Sequence, residues 1–262
     1  MPRKLSRIVK KGAGPFLLLA QFLLIAAGPS AQTISSEITV EQFGAVCDGR
    51  TDDWKALQAA LTAAAGPPAR LLRLPGKTCA FSRPLVVGGG RDYAMVSVTG
   101  VSENATTLLY TGPASGAAIT LSHVAYFRWQ NLAVAKAGAS DFSSHGTSTG
   151  VVLTGPFKTG GTMTLAGEFS HFAVSGFKFG MIYGDEDAAS EIVCYHCRFT
   201  YNDVGWTASG YNALNFLFLH VDLNANRRGM EIGGDKTFGS QPTEGPKAVS
   251  YTHLTLPTNR EV

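Results

Sequence analysis

The residue types best suited to acid–base chemistry gather late in the chain. Asp222-Leu-Asn-Ala-Asn-Arg-Arg228 puts a carboxylate, two amides and two guanidinium groups within seven residues. Asp203, preceded by Asn202, adds a second acid one sequence repeat earlier. Two carboxylates flanking an acetal can act as general acid and base, and a guanidinium can hold an anionic group beside them. Asp203, Asp222 and Arg227 are therefore the candidate catalytic residues. The competing account is a solvated wall of stacked ion pairs. Asp185-Glu186-Asp187 could supply cation ligands, but three consecutive acids read more simply as a solvated loop.

Three histidines share a pattern with these residues. His171, His196 and His220 each precede an apolar residue by three positions, a glycine by nine and a bulky apolar residue by ten. The glycines are Gly180, Gly205 and Gly229. The column seven residues after each histidine is Lys178, Asp203 and Arg227, with alternating charge. The starts are 25 and 24 residues apart, and the segments carry short alternating runs such as Phe169/Phe172/Val174 rather than helical stripes. One repeat thus makes one turn of a stacked solenoid. Successive turns lie about 4.8 Å apart, so the histidines form a ladder, with Asn131 below them. Such a ladder is a metal or proton-transfer line or, as we read it, a column that satisfies backbone groups at a corner. Cys194-Tyr-His-Cys197 lies on the same corner. No second CxxC accompanies it, so a metal or redox role has no support, and it reads as two small residues flanking the bend.

The elements that position these residues begin at Val40. V-E-Q-F-G-A-V-C-D-G-R-T-D-D-W-K-A-L-Q-A-A-L reads as strand, turn and helix. Asp48-Gly49 is a turn pair. Thr51 reads as the N-cap, with Asp52 and Asp53 in the first helical turn, where the helix dipole favours carboxylates over any catalytic use. Trp54, Leu57, Leu61 and Ala64 make one apolar stripe.

This stretch resembles the opening of the pectate-lyase-superfamily domain of rhamnogalacturonase- and epimerase-like proteins, F-G-A-x-x-D-G-x-T-D-D-x-x-A-I-Q-x-A. Phe43, Gly44, Ala45, Asp48, Gly49, Thr51, Asp52, Asp53, Ala56, Gln58 and Ala60 match, with Leu57 where the family has Ile. The resemblance implies an all-β fold, a right-handed parallel β-helix over residues 38–248, whose open end is plugged by a helix near Asp52–Ala65. About seven turns follow from Leu71 onward, fewer if the Gly- and Ser-rich insertion from Gly138 to Gly161 is large. The resemblance also implies a Cys47–Cys79 disulfide.

Residues 1–31 read as a secretory signal peptide: Arg3, Lys4, Arg7, Lys10 and Lys11 precede an apolar run from Phe16 to Ala27. Removing it takes five of 22 basic residues and none of 19 acids, changing the net charge from +3 to −2. A near-neutral mature chain argues against nucleic acid as a partner. The short apolar run argues against a membrane anchor after cleavage. Four cysteines suit a secreted or periplasmic protein.

Val249 to Leu256, followed by Pro-Thr, breaks the repeat. It back-translates, with permitted codons, to GTC TCT TAT ACA CAT CTG ACG CTG CCG ACG, the read-through of a transposase-type sequencing adapter. Residues 249–262 are therefore expected to be a non-native tail, and the chain a fragment whose later turns lie elsewhere. Family likeness implies an exported polysaccharide hydrolase or lyase acting on uronate-containing or related glycans; in the lyase case Ca2+ or another group could neutralise the uronate. The N-T-D, D-D, G-H-G and R-I-K motifs of polygalacturonase-type hydrolases do not occur. The alternative is a non-catalytic β-helix that binds glycans or belongs to a cell surface. Neither substrate nor oligomeric state is legible.

Overall fold

Seven successive turns of chain organise the computed structural model, which describes residues 36–90, 93–139, 146–155, 161–184, 188–208, 212–232 and 249–255. The first turn holds β1 (Glu37–Thr39), β2 (Asp48–Asp52) and helix α1 (Trp54–Ala64). The second holds β3 (Leu71–Arg73), β4 (Thr78–Phe81) and β5 (Leu85–Gly88), and the third β6 (Ser97–Thr99), β7 (Thr107–Tyr110) and β8 (Ser115–Ser122). The fourth holds β9 (Arg128–Lys136) and β10 (Thr147–Thr154); the fifth, β11 (Thr164–Ser175) and β12 (Phe179–Tyr183). The sixth holds β13 (Ala188–Tyr195), β14 (Arg198–Thr200) and β15 (Val204–Ala208), and the seventh β16 (Asn212–Asp222) and β17 (Arg228–Ile232). A final strand, β18, runs Val249–Thr255.

Every strand pairing among the described residues is parallel, and the strands make three faces. The first face runs β1-β3-β6-β9-β11-β13-β16-β18. The second runs β2-β4-β7, then the later halves of β9 and β11, then β14 and the end of β16. The third runs β5-β8-β10-β12-β15-β17. This is a right-handed parallel β-helix with an N-terminal helical cap. On the first face Arg128, Glu168, Val193 and Leu217 stand opposite one another, at intervals of 40, 25 and 24 residues. The last two intervals are the repeat read from the histidines; the first contains the insertion. Six turns therefore lie between Leu71 and Ile232.

Single residues in the left-handed region bend the chain from the first face to the second. Asn131, His171, His196 and His220 have φ of 59°, 46°, 51° and 55°. Asn and His enter this region more readily than most side chains. The pairings around them place them in one column, so the expected ladder is present. His171 and His220 are exposed, and backbone groups one corner later are met by the side chains of Asn202 and Asn226. Asn202 is fully buried: its side-chain oxygen accepts from Phe177 N at 3.0 Å and its Nδ2 donates to Val174 O at 3.1 Å. Asn226 Oδ1 accepts from Asn202 N at 2.9 Å, and its Nδ2 donates to Leu223 O at 2.8 Å.

The glycine column is also present and extends to Gly150, since Gly150, Gly180, Gly205 and Gly229 lie opposite one another. A Cβ on Gly205 would fall 2.6 Å from Gly229 O, so close approach of the coils excludes any side chain. Between the faces the core is aromatic: Trp129, Phe169, Phe172, Phe199, Trp206 and Phe216 are buried.

At the N-terminal end α1 occupies the place of a third-face strand and buries Ala56, Leu57, Ala60, Leu61 and Ala64. The helix starts later than the sequence suggests. Thr51 belongs to β2, where its hydroxyl donates to Asp48; Asp53, not Thr51, holds the N-cap position, and its side chain makes no cap bond. Its carboxylate instead turns back to accept Val46 N at 2.7 Å and Cys47 N at 2.9 Å. Asp52 accepts from Trp54 N at 3.2 Å and Ser82 N at 3.0 Å, tying the helix start to the second turn. Both acids are thus structural. The Cys47–Cys79 disulfide closes the same corner. Cys194 and Cys197, read from sequence as two small residues flanking the bend, are joined in a second disulfide around His196.

β18 pairs with β16 through register shifts at Phe218/Leu219 and Leu219/Val221, unlike the even pairing of the strands before it on this face. Residues 1–31, the acidic run 185–187, residues 233–248 and 256–262 lie outside the described residues. No helix among the described residues is long and apolar enough to cross a membrane.

Candidate functional site

The outer surface of the first face carries a groove parallel to the axis. Its floor is the register column Ser97, Arg128, Glu168 and Val193. Two depressions of about 330 and 620 Å³ meet there, since Ser97 and Arg128 line both. Towards the cap the smaller one is lined by Arg70, Arg128, Gln130 and Ser97. Away from the cap the larger one is lined by Tyr126, Glu168 and Glu191.

Local backbone explains why these side chains face outwards. Tyr126, Ala166, Glu191 and Asn215 form a second left-handed column, with φ of 51°, 52°, 57° and 50°. It lies five residues before the histidine column, and each strand segment between the two bends alternates in and out. Trp129 and Phe169 point inwards; Arg128 and Glu168 beside them point outwards. Gly167 must lack a side chain, because a Cβ there would overlap the Phe127 ring.

Arg128 Nη2 lies 3.1 Å from Glu168 Oε2, with both side chains partly exposed. Such a pair contributes little to stability. Among the described residues Glu191 forms no ion pair. The charge changes along the groove: two guanidinium groups line the depression near the cap, whereas two carboxylates and one guanidinium line the other.

On the side towards the second face stand Gln130, Ser170 and Tyr195, and then the histidine ladder. The rings of His171, His196 and His220 are stacked within 7° of parallel, with centroids 5.0 and 4.8 Å apart. Tyr195, partly exposed, stands edge-on to His196 at 4.3 Å. The stack is a poor metal site. Parallel rings repeat their nitrogens at about the ring spacing, whereas one metal reaches two imidazoles at most about 4.2 Å apart. Among the described residues the set of three metal-type ligands is Cys47, Asp53 and Cys79, whose sulfurs are spent in the disulfide. No three carboxylates converge among the described residues.

The candidates Asp203, Asp222 and Arg227 lie away from this groove. Arg227 Nε is 3.1 Å from Asp203 Oδ1, an ion pair between adjacent coils at the corner leading to the third face. Asp222 ends β16 opposite Arg198 and accepts from Asn224 N at 2.9 Å. The turn thus separates Asp222 from the joined pair. Arg128, Glu168 and Glu191 escaped the sequence reading. They occupy the positions three and five residues before the histidine column, where successive repeats carry different residue types. A further cavity of about 790 Å³ lies beside the cap, bounded by Leu61, Pro67, Pro68, Val86, Tyr93 and Met95. Among the described residues it is lined by no carboxylate, imidazole or basic group.

No protein-family model matches the chain, and no curated protein matches its sequence. Solved structures do match its fold. The Agl-KA catalytic domain superposes with a TM-score of 0.60 at 18% identity, over 78% of this chain and 34% of that one. The Azotobacter vinelandii mannuronan C-5 epimerase AlgE4 A-module superposes with a TM-score of 0.52 at 18% identity, over 73% of this chain and 58% of that one. The chain thus spans only part of the length of these proteins, and the likeness is one of fold.

Proposed function

We propose that this protein is an exported carbohydrate-active enzyme of the pectate-lyase superfamily type, acting on a polysaccharide that lies along the groove of the first face. The observation that carries the reading is the groove itself. It is open along the axis, crosses several coils and presents carboxylates beside guanidinium groups. A linear glycan needs such an extended surface, whereas a compact metabolite needs an enclosed pocket. The fold neighbours, which include a mannuronan C-5 epimerase module, support a glycan as the substrate class. The two disulfides support export.

Glu168 and Glu191 can supply the acid–base chemistry. They stand on successive coils and two residues apart along the strand. Strand geometry puts their backbone positions about 8 Å apart. Both side chains line the same depression; carboxyl groups about 6.5–9.5 Å apart would leave room for the water that inversion requires. Glu168, oriented by its contact with Arg128, is placed to take a proton from water. Glu191, when protonated, can give its proton to the bridging oxygen. Asp203, Asp222 and Arg227 are the rival assignment within the same reading, and uronate-containing or related glycans are the substrates to try first.

The test is to incubate the purified protein with a panel of neutral and uronate-containing glycans, following reducing ends and unsaturated products. Glu168→Gln and Glu191→Gln should each lower turnover about a hundredfold or more, while Asp203→Asn leaves it nearly unchanged. The reverse pattern would move the catalytic assignment to Asp203, Asp222 and Arg227. Binding without any product would make the protein a glycan-binding module, and neither binding nor product would refute the reading.

A further inference from the structure

The depression at the cap end of the groove has a lining that a neutral sugar does not require. Arg70 and Arg128 both face it, with Gln130 and Ser97 between them, and no carboxylate lines it. Arg70 is half-buried, and its Nε, shielded from solvent, has no hydrogen-bond partner in the protein. A shielded guanidinium donor without an acceptor is costly, and an oxygen from a bound ligand would relieve that cost. Arg128 spends its contact with Glu168 on the far side of this depression, in the neighbouring coil. Two guanidinium forks, one amide and one hydroxyl around a space of about 330 Å³ match the planar or tetrahedral oxygens of a carboxylate or sulfate.

We infer that Arg70, Arg128, Gln130 and Ser97 form an oxyanion subsite that takes a charged substituent of the glycan, a uronate carboxylate or a sulfate ester. The inference rests on the groove reading above. It adds a direction to it: the charged sugar sits towards the cap, and the next sugar lies over Glu168 and Glu191. The anion also fixes the register of a repetitive chain, because among the described residues this end of the groove pairs two arginines without an acid, whereas the other end carries two acids. Arg128 then serves both depressions, holding Glu168 on one side and the anion on the other.

The experiment uses the whole chain and its Arg70→Met, Arg128→Met and Gln130→Ala variants. Each is titrated with inorganic sulfate, with an oligogalacturonide and its carboxyl-reduced form, and with a sulfated galactan oligosaccharide and its desulfated form. Calorimetry reads affinity, and the Arg70 Nε–H signal in 15N NMR reads occupancy. The account expects sulfate to shift that signal, and one charged oligosaccharide to bind about tenfold or more tighter than its neutral form. That gap should close in both arginine variants and narrow in Gln130→Ala. The pair that shows the gap identifies the anion as carboxylate or sulfate. Equal binding of charged and neutral forms by the native protein overturns the subsite and leaves the groove standing. A sulfate response without any glycan binding keeps the subsite and overturns the groove. No response to any probe overturns both.

Discussion

Asn202→Ala should be among the most damaging single substitutions in this chain, although Asn202 touches no proposed ligand. Its side chain accepts from Phe177 N at 3.0 Å and donates to Val174 O at 3.1 Å and Asn226 Oδ1 at 3.2 Å. It is fully buried, so no water replaces these partners in the native coil. Truncation leaves one N–H and one C=O unpaired, at about 1–3 kcal/mol each. Asn226 Oδ1 retains its bond from Asn202 N at 2.9 Å, so the third loss is small. The expected cost is about 2–6 kcal/mol, a large part of the stability of an ordinary domain. For a domain of this length each kcal/mol moves Tm by about 2–4 °C, so a fall of roughly 8–16 °C is expected near the middle of that range. Thermal melts followed by circular dichroism, with urea titrations of the same samples, measure it. Asn226→Ala should behave similarly, and the double variant should cost less than the sum, because the two share a bond. A change within about 0.5 kcal/mol for Asn202→Ala would refute the role of the buried amides as the brace of the corner.

Replacing Cys47 and Cys79 by Ala should cost about 3–4 kcal/mol, since the bond closes a separation of 32 residues; unchanged Tm with and without reductant would contradict this. Gly205→Ala should destabilise by about 1–3 kcal/mol, because its Cβ meets Gly229 O at 2.6 Å, and a melt matching the native one would show that the coils can separate there. Asp52 is held below its ordinary value of 3.8, first by the Ser82 hydroxyl and then, against some desolvation, by the N–H groups of Ser82 and Trp54. Its folded pKa is therefore the lower one, so its contribution is complete above about pH 3.8 and is lost as pH falls through the folded value. Stability measured from pH 6 down should fall less steeply in Asp52→Asn, and identical slopes would remove Asp52 from the acid response of the cap.

Much of the architecture is legible in residues that recur by type. His171, His196 and His220 with their trailing glycines give the register, because a left-handed corner and a close coil contact each restrict which residues fit. The helix start is less legible. Asp52 and Asp53 look like helix-start carboxylates; Asp52 keeps that role while also bonding Ser82, but Val46 and Cys47 draw Asp53 out of it. Asn202 reads as part of a polar wall with Asp203, but Tyr201, with φ of 57°, reverses the in–out alternation and sends the amide inwards. The Cys194–Cys197 bond depends on the left-handed His196, which folds the strand back on itself between two inward thiols. The groove was the least legible feature. Arg128, Glu168 and Val193 share a column but no residue type, so repeat comparison by identity passes over them.

The central claim is that a glycan lies along the first face, and the most direct test is a crystal structure of the protein with a bound oligosaccharide. The account predicts sugar density running along the axis over Ser97, Arg128, Glu168 and Val193, with a charged substituent between Arg70 and Arg128. Density at the Asp203–Arg227 corner, or in the cavity between α1 and Tyr93, with the first face bare, would contradict it.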